Sequence, residues 1–374
     1  MDEVSSGKPL VRFTASFSSY PSGDPMKIAL IAPPYIAIPP GKYGGTELFL
    51  SELAVGLQKR GIDFTLYTNG ESTLSVPKKF LYESQDWPIR DEATAQLKGV
   101  NHAAWALQDA ENDADIVHLN SAPGLALQRF SELPFVYTVH HGFEQPLATF
   151  YTNFPQVSFV TISDFQRTKL ELPRLKTIHH GIDLSRYRMH AEPGQYLSFL
   201  GRIAPVKGTH LAIEIARKAG IPLKIAGEIQ PVYRDYWDNV VKPQVDGKFI
   251  EYVGEVDLNQ KNELLGNSLA MLFPIQWDEP FGLVMVEAMA CGTPVLALPG
   301  GSVREVVKDG VSGYVGNSVE ELAQRARDLA LPRASVRAYA QEYFSSQRMA
   351  NDYVDLYSEI LDSRTASQAE PIVA

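Results

Sequence analysis

The sequence predicts an α/β protein built from two doubly wound parallel-sheet domains that face each other across a crevice. Two observations lead to this prediction. At 374 residues the chain is longer than one hydrophobic core usually supports. Short apolar runs also alternate with longer amphipathic segments throughout residues 26–360. Such alternation is typical of parallel strands covered by helices.

The first domain is predicted over residues 26–184. An apolar run at 28–32 predicts its opening strand. Apolar side chains recurring at i, i+3, i+4 and i+7 then predict a helix over 46–60 that stops at Gly61. Further strands of this domain are predicted at 64–67, 116–119, 135–139, 159–162 and 177–179.

A second domain is predicted over residues 185–342, because the alternation of strands and helices starts again there. The polar stretch 184–194 is the predicted connection between the domains. Residues 343–374 are predicted to form helices that cross back to the first domain, followed by a short tail. Strands of the second domain are predicted at 196–200, 223–226, 250–253, 270–273 and 294–297.

Composition excludes several classes of protein. A hydrophobic content of 45% with 21% charged residues is typical of a soluble globular chain, and a net charge of -10 argues against a nucleic-acid partner. The single Cys291 cannot form an internal disulfide. Residues 1–25 lack the features of a secretory signal, so we expect a flexible tail, a natural start at Met26 and a cytoplasmic protein. Lys78 and Lys79 leave peripheral contact with the inner face of the membrane open.

The loop after the opening strand contains the adjacent glycines Gly44 and Gly45. Ligands of doubly wound sheets bind beyond the carboxyl ends of the strands, so such loops are where functional residues are expected. Adjacent glycines let the backbone approach a ligand, and the amino terminus of the following helix attracts phosphate. An ordinary strand-to-helix turn is the alternative. Neither G-x-G-x-x-G nor G-K-[ST] occurs in the sequence, which disfavours a dehydrogenase or a P-loop nucleotidase.

The corresponding loop of the second domain carries two cations. Arg202 and Lys207 stand five positions apart between Gly201 and Gly208. Both side chains can therefore turn towards one site and grip a diphosphate. A solvated pair of surface cations is the alternative interpretation.

The segment 277–295 is the most informative part of the sequence. Glu279 precedes a predicted helix start, and Glu287 lies about two turns inside that helix. One carboxylate can accept hydrogen bonds from ribose hydroxyls while the other meets a sugar. Stabilisation of the helix dipole is the alternative, but an unpaired Glu287 among apolar neighbours would be costly. Backbone amides at the helix start are expected near phosphate or hydroxyl oxygens, namely those of Phe281, Gly282 and Leu283.

Together these segments resemble glycosyltransferase family 4, a large group of retaining enzymes with the GT-B fold of two facing Rossmann-like domains. The resemblance covers residues 26–360 and is most specific in E-P-F-G-L-x-x-x-E followed by A-M-A-C-G-T-P-V. It implies a nucleotide-diphosphate sugar (NDP-sugar) as the donor. By resemblance Glu287 binds the donor ribose, Glu279 lies by the donor sugar, and Arg202 and Lys207 hold the diphosphate.

The resemblance also assigns residues elsewhere. His140, which follows a strand of the first domain, matches a histidine beside the transferred sugar, and is expected to be catalytic together with Glu279, Arg202 and Lys207. Gly44 and Gly45 join the donor site. Backbone near Val253 and Gly254 is expected to contact the base. The residues expected on the acceptor side are Tyr43, His141, Phe143 and Glu144.

The remaining histidines are interpreted as structural. His179 and His180 precede the turn between the domains, and we read both as structural or peripheral. His118 belongs to no convincing cluster. A lone histidine is more often a packed residue than a functional one, and His140 departs from that expectation through its place at a strand end.

Two mechanisms retain anomeric configuration. Double displacement needs a carboxylate nucleophile, and Glu144 and Asp164 are its candidates, although each serves equally well as a cap or an acceptor contact. We favour front-face substitution, in which the departing diphosphate deprotonates the acceptor hydroxyl while Arg202 and Lys207 stabilise its growing charge. No metal or other cofactor is expected, because these cations can stabilise the charge of the diphosphate. The D-x-D at 113–115 resembles a metal-binding motif, but it precedes a strand, whereas ligands bind beyond the carboxyl ends of strands.

The expected reaction is transfer of a hexosyl unit from an NDP-sugar of the UDP-glucose or GDP-mannose type to an acceptor hydroxyl. The acceptor is a glycan, a small molecule or a lipid-linked sugar. A nucleotide-sugar epimerase of the same fold and a non-catalytic nucleotide-sugar-binding protein are the alternatives. The pairing of Glu279 with Glu287 favours transfer over epimerisation.

Overall fold

A computed structural model describes residues 26–41 and 44–369 of the chain. Within these ranges the strands form one sheet of seven and one of six, and every neighbouring pair of strands is parallel. Helices cover both sheets, which confirms the predicted α/β class. The tail predicted for residues 1–25 lies outside the described residues, as does Tyr43.

The first sheet is built from the amino-terminal half of the chain. Its strands are β1 (Lys27–Ile31), β2 (Asp63–Thr68), β3 (Lys78–Phe80), β4 (Ile116–Leu119), β5 (Phe135–Val139), β6 (Ser158–Thr161) and β7 (Leu175–Thr177). They lie in the order β3-β2-β1-β4-β5-β6-β7. The direction of winding therefore reverses between β1 and β4, which opens a crevice at that point.

The second sheet repeats the same winding. Its strands are β8 (Leu197–Leu200), β9 (Leu223–Ala226), β10 (Ile250–Gly254), β11 (Ala270–Phe273), β12 (Val295–Ala297) and β13 (Gly313–Val315). Their order is β10-β9-β8-β11-β12-β13, so winding reverses between β8 and β11. The loops after β1, β4, β8 and β11 are thus the natural places for a ligand.

Helices connect the strands in both halves. Those around the first sheet are α1 (Gly45–Lys59), α2 (Glu92–Ala110), α3 (Gln145–Tyr151) and α4 (Asp164–Arg167). Those that follow are α5 (Thr209–Ala219), α6 (Arg234–Tyr236), α7 (Leu258–Gly266), α8 (Leu283–Ala290), α9 (Val303–Val306), α10 (Val319–Arg327), α11 (Arg333–Phe344) and α12 (Ser346–Ala369). Short 3-10 turns include Leu184–Arg186 and Pro205–Lys207.

The last helix returns to the first sheet. Met349, Tyr353 and Tyr357 of α12 are buried in the core that also contains α1 and β1. The chain enters α12 through paired backbone hydrogen bonds between Ile182 and residues 344–346, each of 2.9 Å. The carboxyl terminus of the fold therefore packs beside the amino-terminal sheet. Among the described residues, no helix combines the length and apolarity needed to cross a bilayer.

The structure corrects the predicted strand at 177–179. Strand β7 ends at Thr177, and His179 and His180 lie in the loop beyond it. Their carbonyl oxygens accept hydrogen bonds from the Arg348 guanidinium of α12 instead of from a neighbouring strand. The sequence also gave no prediction for β3 and β13, two three-residue strands at the edges of the sheets.

Candidate active site

A cavity of about 590 Å³ lies between the two sheets, and we call it the crevice. Loops after β1 and β5 form one wall, and loops after β8 and β11 form the other. The predicted site residues that line it are Gly44, Gly45, His140, His141, Glu144, Arg202, Lys207, Glu279, Phe281, Gly282, Leu283 and Glu287. Residues that are far apart in the sequence therefore meet at one place.

Three predicted residues lie elsewhere. Val253 is 37% exposed and lines a separate cavity on the second half of the chain. The carbonyl oxygen of Gly254 accepts a hydrogen bond from the Gly227 amide at 2.9 Å. Phe143 is 43% exposed and lines a small pocket beside the crevice. In this part of the chain Glu255 and Val256 line the crevice, whereas Val253 and Gly254 do not, and their predicted contact with the base stays a prediction.

Three helices at the crevice begin at a glycine. Gly44, Gly208 and Gly282 are the N-cap residues of α1, α5 and α8, and none of these helices has a side-chain cap. Gly208 and Gly282 adopt positive φ angles of 74° and 79°. A Cβ at Gly208 would also lie 1.9 Å from the carbonyl oxygen of Pro274. The helix amino termini therefore keep amides and partial positive charge available for an anion.

Glu279 is held by two donors in the second wall. The Lys207 ammonium lies 2.5 Å from Glu279 Oε2, and the Trp277 indole donates to the same oxygen at 2.9 Å. The ammonium also lies 4.8 Å from the centroid of the Trp277 ring. Both partners bond Oε2, and the described residues offer no hydrogen bond to Oε1. Lys207 is therefore paired with the carboxylate that is predicted to bind the sugar.

Glu287 resembles Glu279 in having two donors on one of its carboxylate oxygens. Its Oε1 lies 2.5 Å from the Lys261 ammonium and accepts a hydrogen bond from the Tyr187 hydroxyl at 2.8 Å. The residue is only 2% exposed, and its apolar neighbours in α8 make the ionic partner necessary. No described residue donates to Oε2.

Arg202 lies on the same wall beside the glycine N-caps. Its guanidinium donates to Gln230 Oε1 at 3.3 Å, and no carboxylate of the described residues lies within ion-pair distance. Gln230 in turn donates to Glu228 at 3.0 Å. The guanidinium is thus oriented through a neutral amide, and its charge stays available to a ligand.

His140 belongs to a neutral, aromatic wall. Its Nε2–H donates to Asn120 Oδ1 at 2.9 Å, since the Asn120 amide nitrogen donates to the carbonyl oxygens of Ile31 and His118. The His140 ring stacks on His180 at 5.6 Å and packs against Phe49 at 4.8 Å. Burial lowers the pKa of His140 to about 3, and it lowers the pKa of His180 well below its ordinary value.

Hydrogen bonds hold the part of the crevice where the acceptor side is predicted. His141 Nε2 lies 2.6 Å from the buried Tyr151 hydroxyl, and the His141 carbonyl oxygen accepts from Gln166 at 2.8 Å. Trp277 of the opposite wall approaches closely, because a Cβ at Gly142 would lie 3.1 Å from its ring. Glu144 lines the crevice here and precedes α3.

Two clusters of acidic residues lie outside the crevice, one around Asp113 and the other around Glu305. Asp113 of the D-x-D sequence pairs with the Lys27 ammonium at 2.5 Å, and Asp115 accepts from the Lys27 backbone amide at 2.8 Å. Asp164, His179 and Glu305 each place one potential metal-ligand atom within 4.8 Å of the others.

The Glu305 carboxylate is nevertheless already occupied. It accepts backbone amides of Asp164 and Phe165 at 2.7 Å and 2.6 Å, and it lies 3.0 Å from His179 Nε2. This cluster therefore joins the two halves of the chain.

Four residues important to the site were not predicted. Lys261, Tyr187 and Trp277 hold the two carboxylates, and His180 stacks on His140. The sequence analysis interpreted His180 as structural or peripheral, whereas the structure places it in the lining of the crevice. Trp277 had a sequence signal, since it stands two positions before Glu279.

Two family models match the chain. The model "Glycosyltransferase Family 4" matches residues 43–186, and "Glycosyl transferases group 1" matches residues 188–343. The chain is also 26% identical to D-inositol 3-phosphate glycosyltransferase of Mycobacterium tuberculosis, over 85% of this chain and 79% of that protein. It is 24% identical to spore coat protein SA of Bacillus subtilis, over 89% of this chain and all of the relative.

Solved structures share the fold at low identity. A glycosyltransferase involved in avilamycin A biosynthesis superposes with a TM-score of 0.70 at 23% identity, covering 90% of this chain and 98% of that one. Anabaena HepE in complex with UDP and glucose gives 0.70 at 19% identity, covering 89% and 100%. Sucrose-phosphate synthase from Thermosynechococcus elongatus gives 0.73 at 18%, covering 90% and 100%. The fold is GT-B, and the chain belongs to glycosyltransferase family 4.

Proposed function

We propose that this protein is a retaining hexosyltransferase that moves a sugar from an NDP-sugar to an acceptor hydroxyl. The observation that carries the proposal is the pair of buried carboxylates, Glu279 and Glu287. Each has one oxygen held by a lysine and by a neutral donor, on a wall where helix amino termini begin at glycine. Such a wall suits a ligand with hydroxyls on both sides of a diphosphate.

A donor of the UDP-glucose or GDP-mannose type is supported by the chemistry of this wall. Glu287 is assigned to the ribose and Glu279 to the transferred sugar, with Arg202 and Lys207 on the diphosphate between them. HepE, which shares the fold, was solved with UDP and glucose. The acceptor side then falls to His141 and Glu144, and the acceptor is a hydroxyl of a glycan, a small molecule or a lipid-linked sugar.

Front-face substitution is the mechanism that these residues support best. The acceptor oxygen forms a bond to the anomeric carbon while the bond from that carbon to the diphosphate oxygen breaks, and the acceptor proton passes to the departing phosphate. Arg202, Lys207 and the uncapped helix termini stabilise the charge that accumulates on the diphosphate. A neutral His140 contributes hydrogen bonding beside the sugar, since a pKa of about 3 makes it a poor base at neutral pH.

We propose that transfer needs no metal ion and takes place in the cytoplasm. The support for this proposal is that two cations, Arg202 and Lys207, and the amino termini of two helices, α1 and α8, line the crevice. Turnover measured in excess EDTA is expected to match turnover in magnesium buffer. Loss of activity in EDTA that magnesium restores would contradict metal-free transfer.

The reaction itself is tested by incubating the protein with a panel of UDP-, GDP- and ADP-sugars and hydroxyl acceptors. Proton NMR of the product is expected to show the anomeric configuration of the donor, with release of one nucleoside diphosphate per glycoside. An inverted anomeric configuration would overturn retention. An epimerised nucleotide-sugar with no glycoside would overturn the transferase assignment.

A further inference from the structure

Tyr187 is a buried hydroxyl in the segment that connects the two halves of the chain. It follows the 3-10 turn Leu184–Arg186 directly and is 4% exposed. Its hydroxyl donates to Glu287 Oε1 at 2.8 Å. Burial and the neighbouring carboxylate raise the pKa of Tyr187 well above its ordinary value, so the hydroxyl keeps its proton and stays a donor.

The hydrogen bond selects one of the two Glu287 oxygens. The Lys261 ammonium binds the same oxygen at 2.5 Å, so both donors act on Oε1. A carboxylate is planar, and fixing one oxygen through two donors fixes the direction of the other. Glu287 lines the crevice, and its Oε2 has no donor among the described residues. The free oxygen is therefore the one that meets a ligand.

The backbone of Tyr187 is anchored from both halves of the chain. Arg337 of α11 donates to the carbonyl oxygens of Tyr187 and Leu184, each at 2.9 Å. Arg186 pairs with Glu52 of α1 at 3.2 Å, and Glu52 also accepts the Asp183 amide at 2.8 Å. These contacts hold the tyrosine hydroxyl at a defined position relative to Glu287.

We propose that Tyr187 is a positioning residue that directs Glu287 Oε2 at the vicinal hydroxyls of the donor ribose. The inference rests on the proposed function, which assigns Glu287 to the ribose. Tyr187 does not touch the reacting atoms. Its contribution is therefore selectivity for a ribonucleotide over a nucleotide that lacks the 2′ and 3′ hydroxyls.

The test compares two probes on five proteins by calorimetric titration. The probes are whichever of UDP and GDP the wild type binds more tightly, and the 2′,3′-dideoxy analogue of that nucleotide. The variants are Tyr187→Phe, Glu287→Gln and their combination. Tyr196→Phe is the matched control, because Tyr196 also uses its hydroxyl on a fixed acceptor, the Leu264 carbonyl at 2.8 Å, but lies outside the crevice.

Tyr187→Phe is expected to weaken ribonucleotide binding about fivefold, which is less than the full value of a hydrogen bond to a carboxylate because Lys261 still holds Glu287 Oε1. Binding of the dideoxy analogue is expected to stay unchanged. In the Glu287→Gln background the same substitution is expected to add nothing. Tyr196→Phe is expected to leave both affinities as in the wild type.

Three outcomes would overturn the inference. Unchanged ribonucleotide affinity in Tyr187→Phe would remove any positioning role, and equal losses for both probes would show a general structural role. Additive losses in the combined variant would show that Tyr187 acts independently of Glu287. Failure of the proposed function is distinguishable, because Glu287→Gln would then bind both probes like the wild type.

Discussion

The two walls of the crevice differ in their chemistry. The wall from the second sheet carries the pairs Lys207–Glu279 and Lys261–Glu287, each with a nitrogen-to-oxygen distance of 2.5 Å. The wall from the first sheet carries His140, whose burial lowers its pKa to about 3. The second wall is therefore ionic, whereas the part of the first wall around His140 and His180 is neutral and aromatic, and we call that part the neutral wall.

This difference suggests that the two walls have separate roles in binding and transfer. Ionic pairs in a partly dry site interact strongly with diphosphate and with sugar hydroxyls, because water does not screen them. Neutral imidazoles and aromatic faces suit the apolar faces and hydroxyls of a sugar without attracting a competing anion. We expect substitutions on the ionic wall to alter donor binding and charge stabilisation, and substitutions on the neutral wall to alter transfer.

Lys207→Met should have the largest effect. The substitution removes a cation assigned to the departing diphosphate, and turnover is expected to fall roughly a hundredfold. Initial rates at saturating donor measure it. Lys224→Met is the matched control, since Lys224 forms an exposed pair with Glu251 at 3.7 Å and should leave turnover unchanged. Unchanged turnover in Lys207→Met would contradict the role of the ionic wall in charge stabilisation.

His140→Ala should have an intermediate effect confined to transfer. The substitution removes a neutral hydrogen-bonding ring beside the transferred sugar, so turnover is expected to fall about tenfold. Donor affinity, measured by titration with the same NDP-sugar, is expected to remain near that of the wild type. A loss of donor affinity as large as the loss of turnover would contradict separate roles for the two walls.

The pH dependence of turnover should show the smallest effect. A folded pKa of about 3 leaves His140 neutral from pH 8 down to pH 5, so kcat is expected to show no acidic limb near pH 6.5. A limb centred near pH 6.5 that disappears in His140→Ala would contradict a neutral wall.

Stability should depend on pH in a defined direction. The His140 ring takes up a proton below about pH 6.5 in the unfolded chain, whereas in the folded chain it does so only near pH 3. The stabilising contribution is therefore complete above pH 6.5 and is lost as the pH falls towards 3. Urea unfolding is expected to show a larger loss of stability from pH 7 to pH 5 in the wild type than in His140→Ala, and an equal or smaller loss in the wild type would contradict this direction.

Much of the fold could be predicted because buried parallel strands are short apolar runs. Strands β4, β5, β9 and β11 begin and end at the predicted residues. The edge strand β3 contains Lys78 and Lys79 and is buried on neither face, so it lacks that signal. The predicted strand at 177–179 was wrong because the His179 carbonyl oxygen accepts a hydrogen bond from Arg348 and not from a neighbouring strand. Arg348 lies far along the chain, so no local pattern indicates this contact.

The site could be predicted in its residues but not in its pairings. Sequence motifs identified Lys207 and Glu279 in loops after strands, and Glu287 in the helix that follows Glu279. Their partners depend on contacts between distant segments, and Tyr187 stands 100 positions before Glu287. That tyrosine was predicted within a polar connection, whereas the structure buries it in the core of the second half.

The most direct test of the ionic and neutral walls is calorimetric titration of one NDP-sugar into the wild type, Glu287→Gln and His140→Ala, in EDTA. Affinity is expected to fall about tenfold or more in Glu287→Gln and to stay near the wild-type value in His140→Ala. Equal affinities for all three proteins, or a larger loss in His140→Ala, would contradict this expectation.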